Sequence, residues 1–279
     1  MDPKELIRAG KLTEARQQLI DSVKSSPGDS GLRVLLFQVL SLLGDFEKAE
    51  RHIDIIAAQG VKAEAGIMPY KNLLHGERVR QEVYHVERRP DFLPKTPAYA
   101  ERYFLALEQL KNNEFESAEE TFKLLEEDRP PLSGTLNDQP FNDIRETDSF
   151  LSYFIEAFVH ERYVWLPFES IREMILPTPE SLFDLIWIPA QITAWSGLTL
   201  NCFLPVVYPE SPFHEDDRIK MGRMTDWHSL GGPFYKGLGQ HVFQIGDEDV
   251  PLLEIRELML NQPVAQKGAE TEEGAETDD

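Results

Sequence analysis

A chain of 279 residues is long enough for two domains of roughly 100–150 residues each. At 41% hydrophobic and 28% charged it has the composition of a globular protein rather than a fibrous or disordered one. Its formal charge of −21 leaves no basic face to displace the counterions of a nucleic acid, and an anionic membrane surface would repel it.

The opening MDPKELIRAGKL reads as an amphipathic helix, with charges where a secretory signal would need an apolar run. The apolar stretch RVLLFQVLSLLG that follows spans 12 residues and holds Gln38 and Ser41. Crossing a bilayer takes about 20, so no membrane insertion is expected. The single cysteine, Cys202, has no intramolecular partner, which fits a reducing compartment. Together these features predict a cytoplasmic protein.

The N-terminal half repeats. Gly10, Leu12, Ala15 and Leu19 recur as Gly44, Phe46, Ala49 and Ile53, each 34 residues on. A third copy places Asn113, Phe115, Ala118 and Phe122 in the same roles. The pattern predicts helical hairpins: Gly or Asn ends the first helix in a left-handed cap, and the alanine sits where two helices approach closely. Pro27 and Pro130 close the second helix of the first and third copies. Period and core signature resemble the tetratricopeptide repeat. The intervening stretch Ala63–Pro90 has helical spacing at Ile67, Tyr70, Leu74, Val79 and Val83, but Pro69 interrupts its start and the signature is missing. Tyr99, Tyr103, Ala106 and Leu110 then form one stripe. Stacks of this kind offer a groove for a peptide or helix.

The run DRPPLSGTLNDQPFND (Asp128–Asp143) is rich in Pro, Gly, Ser and Asn and marks a boundary. The expected division is a helical-repeat domain at 1–130, a linker at 131–143, a mainly β domain at 144–262 and an acidic disordered tail at 263–279. Within that tail Gln266–Asp279 carries six acidic residues and one lysine, or −5 of the total charge.

Beyond the boundary come short runs of β-branched and aromatic residues broken by Pro or Gly. YFIEAFVHERYVWLPF (Tyr153–Phe168) predicts two strands turning at His160–Glu161, without the Asn-Gly of a type I′ turn. ESIREMIL, LTLNCFLPVVYP, QHVFQIGD and VPLLEIREL are further strand candidates, their prolines suited to edges or bulges rather than central positions. FDLIWIPAQITAW (Phe183–Trp195) is 13 residues long and carries Asp184 and Gln191, too short and too polar to span a bilayer. Trp165 and Trp187 each precede a proline by two residues and are expected in the core and rim of the β domain, with a recognition surface as the alternative. The candidate partner-binding residues are Arg162, Tyr163, Trp165, Phe168, Trp187 and Gln191.

Catalytic patterns are missing. Among seven histidines there is no H-x-x-x-H, and there is no C-x-x-C or G-x-S-x-G. HEDD (His214–Asp217) reads as a solvated acidic loop, Cys202 as a small buried hydrophobe, and GGPFYKGLGQ (Gly231–Gln240) as tight turns rather than a phosphate loop. No catalytic residue, metal or cofactor is expected.

RYVWLPFESI, DLIWIPAQIT, GLGQ and DVPLLEIREL, in that order behind LIRAGKLTEARQQL and LRVLLFQVLSLLGDFEKA, resemble the ImpE/TagJ family from about residue 6 to residue 260. These are SciE-type accessory proteins of bacterial type VI secretion systems, once labelled virulence proteins. One departure is that His160–Glu161 stands where the family often has Asn-Gly. The helical repeats and the strand candidates together predict an α+β protein, and the resemblance implies a cytoplasmic one without enzymatic activity that works beside the contractile sheath. It also implies binding to the N-terminal helix of the small contractile-sheath subunit (TssB-like), and a link to the ClpV-type AAA+ ATPase that recycles sheath. The alternatives are a ligand-binding or enzymatic β domain with a helical docking module, and a general assembly chaperone or scaffold.

Overall fold

Among the described residues, seven helices occupy the first 128 positions: α1 (Pro3–Arg8), α2 (Leu12–Ser25), α3 (Ser30–Leu42), α4 (Phe46–Ala57), α5 (Val61–Tyr84), α6 (Ala100–Lys111) and α7 (Phe115–Asp128). The computed structural model describes residues 2–58 and 61–263, so the acidic tail from residue 264 lies outside the described residues. The repeat is visible as identical geometry. Gly10, Gly44 and Asn113 take φ of 72°, 69° and 62°. The amide after each reaches back five residues: Lys11 to Leu6, Asp45 to Leu40 and Glu114 to Gln109, at 2.8–2.9 Å. This is the left-handed cap the spacing predicts. Ala15, Ala49 and Ala118 are each fully buried at the hairpin crossings α1–α2, α3–α4 and α6–α7.

The stretch at 63–90 departs from expectation. Pro69 does not interrupt it; α5 runs unbroken for 24 residues with Pro69 inside. A mid-helix proline costs about 3 kcal/mol, offset here by burial of Ile67, Leu73, Leu74, Val79 and Val83 along one side.

The C-terminal half is mainly strand: β1 (Asp91–Phe92), β2 (Ser133–Leu136), β3 (Gln139–Asn142), β4 (Ile144–Glu146), β5 (Phe154–Val159), β6 (Arg162–Pro167), β7 (Ile171–Ile175), β8 (Trp187–Ala194), β9 (Thr199–Pro205), β10 (Thr225–Gly231), β11 (Phe234–Gly239), β12 (Val242–Ile245), β13 (Glu248–Pro251) and β14 (Glu257–Leu260), with a short α8 (Asp217–Lys220). The fold class is α+β, helical hairpins followed by a mainly β region. Nine strands form one sheet in the order β1-β6-β5-β9-β8-β7-β14-β2-β3, antiparallel except for β1 against β6. β13-β12-β4 and β10-β11 form two smaller sheets. β5 and β6 are the hairpin read from the sequence, Val159 facing Arg162 across His160, whose φ is 55°.

One expectation is corrected. The linker at 131–143 is a β-hairpin of the large sheet, turning at Asn137–Asp138 with φ of 46° and 68°. Its polar composition is that of a two-residue hairpin turn, and Pro140 sits on the edge strand β3, where no further ladder bond is needed. Pro189, in contrast, lies in β8, an interior strand. It pairs with Phe203 on one flank, while β7 reaches only as far as Gln191 on the other, so the strand has a local edge there.

Strand alternation separates two cores. Along β5 and β6, Phe154, Phe158, Tyr163 and Trp165 face the helices, and Ile155, Ala157, Val159, Val164 and Leu166 face the second core with β4, β12 and β14. Both faces are buried, which is why these strands read as continuous apolar runs. The helix-side core is one cluster running from Leu6 to Phe234. Phe37 of α3 stacks on Trp187, Tyr103 and Phe104 of α6 meet Trp165, and Phe122 of α7 meets Phe234. The sheet therefore covers the aromatic faces of these repeat helices.

Candidate functional site

A run of buried polar side chains lies in the seam between α5 and the sheet. Gly76 of α5 lets the helix approach so closely that a Cβ there would stand 2.5 Å from the Phe158 ring. One turn on, Arg80, 2% exposed, places its guanidinium against Glu156 of β5, with Nη2–Oε1 at 2.5 Å and Nε–Oε2 at 2.9 Å. Arg80 also reaches Glu77 at 3.2 Å and donates to the Val207 carbonyl at 2.7 Å. His241 sits between two carboxylates, Nδ1 to Glu146 and Nε2 to Glu156, both at 2.9 Å. The result is an alternating line of charge: Glu146, His241, Glu156, Arg80, Glu77.

Electrostatics follow from the geometry. Burial opposes charge on His241, but the carboxylates of Glu146 and Glu156 outweigh it and lift the imidazole to about 9, so both ring nitrogens donate. Burial likewise disfavours ionised Glu156, yet Arg80 and His241 hold it well below the usual carboxylate range. Beside the line, burial pushes Asp148 up to about 6, against the opposing amides of Gly237 and Phe150, both at 2.8 Å. Tyr208 donates to Glu146 at 2.6 Å, Tyr163 to Glu156 at 2.5 Å and Tyr84 to Asp148 at 3.0 Å. A buried ion chain of this kind adds little net stability over apolar packing, but removing one member costs about 3–5 kcal/mol. It fixes where α5 lies on the sheet.

Reaction chemistry has no room here. The spaces beside Arg80 and Glu77, and beside His241 and Glu156, are about 10 Å³ each, scarcely enough for a water molecule. Among the described residues no three His, Cys, Asp or Glu side chains are placed to hold a metal ion. Cys202 is buried, its thiol pushed up to about 12 by that burial. HEDD is not free loop throughout: Asp217 accepts the Leu12 amide at 2.8 Å and so caps α2 from across the molecule. In the glycine-rich run, Gly237 packs flat against Tyr208, where a Cβ would come within 2.2 Å of the ring.

Of the six residues singled out in the sequence, Tyr163, Trp165, Phe168 and Trp187 are each no more than 4% exposed. The Trp187 indole donates to Glu77 at 2.8 Å and the Trp165 indole to Tyr163 at 2.7 Å, so the two tryptophans join the charge line rather than the surface. Phe168 lies in the second core. Arg162 and Gln191 are exposed, Arg162 paired with Asp91 at 2.9 Å and Gln191 beside Asn201. Sequence reading missed Arg80, Glu156, His241 and Glu146. The available signal was charge inside apolar runs, Glu156 within YFIEAFV and Arg80 within the α5 stripe.

Residues 138–259 match the family model described as ImpE protein. Over 258 residues the chain is 29% identical to the type VI secretion system accessory component TagJ of Pseudomonas aeruginosa, covering 92% of this chain and 90% of that protein. The crystal structure of a Vibrio parahaemolyticus protein has the same fold, with a TM-score of 0.84 at 24% identity, over 93% of this chain and 97% of that one. The ImpE match over the C-terminal half and the near-full-length likeness to a TagJ protein make this chain similar to the ImpE/TagJ accessory components of type VI secretion systems.

Proposed function

We propose that this protein is a non-catalytic accessory component of a bacterial type VI secretion system, which binds the N-terminal helix of the small sheath subunit in the cytoplasm and is linked to ClpV-dependent sheath recycling. The observation that carries the reading is the 29% identity, over 92% of the chain, to a protein named as such an accessory component. A non-catalytic role is supported by the sealed seam, whose polar groups spend their hydrogen-bonding capacity on one another. No described helix is long and apolar enough to cross a membrane. Of the six sequence candidates, Arg162 and Gln191 are the ones an approaching partner can touch without rearrangement. The enzymatic alternative needs a pocket beside Trp165 and Trp187, and both side chains are packed in the helix-side core.

Titration calorimetry with a peptide of the small sheath subunit's N-terminal helix tests the reading. Saturable binding at micromolar concentration is expected. No heat at tens of micromolar would refute it.

A further inference from the structure

We propose that the outer face of the α6–α7 hairpin docks an amphipathic helix whose apolar stripe is flanked by basic residues. This rests on the reading that the protein captures a partner helix, and gives that capture a place and a chemistry. Leu105 and Leu124 are 49% and 50% exposed, apolar side chains that neither core takes up. The hairpin's own contacts bracket them. Arg102 pairs with Asp128, and the Thr121 hydroxyl donates to Gln109 at 2.8 Å. Residues 105 and 124 therefore lie side by side between these two rungs.

One turn away along each helix stand Glu101 and Glu108 on α6, and Glu120 and Glu127 on α7, all exposed. Glu108, Glu120 and Glu127 form no ion pair among the described residues, Glu101 is paired with Arg89, and the cations beside the leucines are paired, Arg102 with Asp128 and Lys123 with Glu119 at 2.8 Å, leaving Lys111 a turn beyond Glu108 as the nearest cation without a carboxylate. An apolar pair ringed by carboxylates is complementary to a helix with leucine-like anchors at i, i+3 and i+4 and Lys or Arg at their edges. A net charge of −21 steers such a cation-bearing segment toward the protein. A second copy of the chain carries the same charge and the same ring, and is repelled.

The test uses the full chain and two labelled helical peptides, a leucine stripe flanked by lysines and the same stripe flanked by glutamates, read by fluorescence anisotropy. The lysine peptide is expected to bind at tens of micromolar, more weakly as salt rises, and the glutamate peptide not at all. Leu105→Ser with Leu124→Ser, at unchanged Tm, weakens binding at least tenfold, as does Glu108→Lys with Glu120→Lys. The same charge reversal at Asp247 and Glu248, in the exposed β12–β13 turn, changes it less than threefold. Equal loss from both reversals, wild-type binding by the leucine double variant, or self-association that this variant abolishes would each overturn the proposal. If the lysine peptide behaves as expected and the sheath peptide does not bind, the sheath reading fails and the docking face stands. Sheath-peptide binding untouched by the leucine variant refutes the face alone.

Discussion

His241 carries a proton because of where it is held, not because of what surrounds it in sequence. Its ordinary pKa of 6.5 rises to about 9 between Glu146 and Glu156. A group whose folded value is raised contributes stability that is complete below its unfolded value and lost as pH climbs through the folded one. Stability is therefore expected to fall between pH 6.5 and pH 9.5, by roughly 3 kcal/mol from this residue. Asp148, raised by burial from 3.8 to about 6, acts with the same sign at lower pH, weakening the fold as pH rises from 4 to 6. Glu156 has the opposite sign: its contribution is present above the ordinary carboxylate range and lost in acid. Calorimetric melting across pH should show the alkaline decline in the wild type and a much flatter one in His241→Gln.

The helices illustrate how far a local signal carries. Gly10, Gly44 and Asn113 announce their caps, because few residues tolerate left-handed φ. The end of α5 has the same geometry at Val86, with φ of 54° and the Glu87 amide reaching Glu82 at 2.9 Å. A β-branched residue is a poor fit there, so no pattern could have revealed it. Gly76 is a second silent element. In an isolated helix alanine would be better than glycine by about 1 kcal/mol, but here an added methyl meets the buried Phe158 ring at 2.5 Å. Overpacking of this kind costs about 1–3 kcal/mol and exceeds the propensity gain. Gly76→Ala is expected to lower stability by about 1 kcal/mol in urea titration. Higher stability would show that α5 does not press on β5 as described.

At the scale of the molecule, helices and sheet share one core. Phe37, Tyr70, Tyr103 and Phe104 find their ring partners in the β half or in the strand β1 that joins it. A fragment of residues 1–130 would expose them. It is expected to melt without a sharp transition and to bind a hydrophobic dye, while the full chain unfolds in one cooperative step. Two separate transitions in the full chain would contradict this coupling.

The sequence by itself determined the helical hairpins, their caps, the β5–β6 turn, the α+β class and the likeness to ImpE/TagJ proteins, because each is written in neighbouring residues. Burial of Trp165 and Trp187 on the helix side, the hairpin at 131–143 and the interior place of Pro189 were decided by tertiary structure. So was the meeting of Arg80 with Glu156 and His241, which lie 76 and 161 residues beyond it along the chain. Strand order and helix docking join residues with no local relation, and no periodicity in a single chain encodes which distant charge each will face.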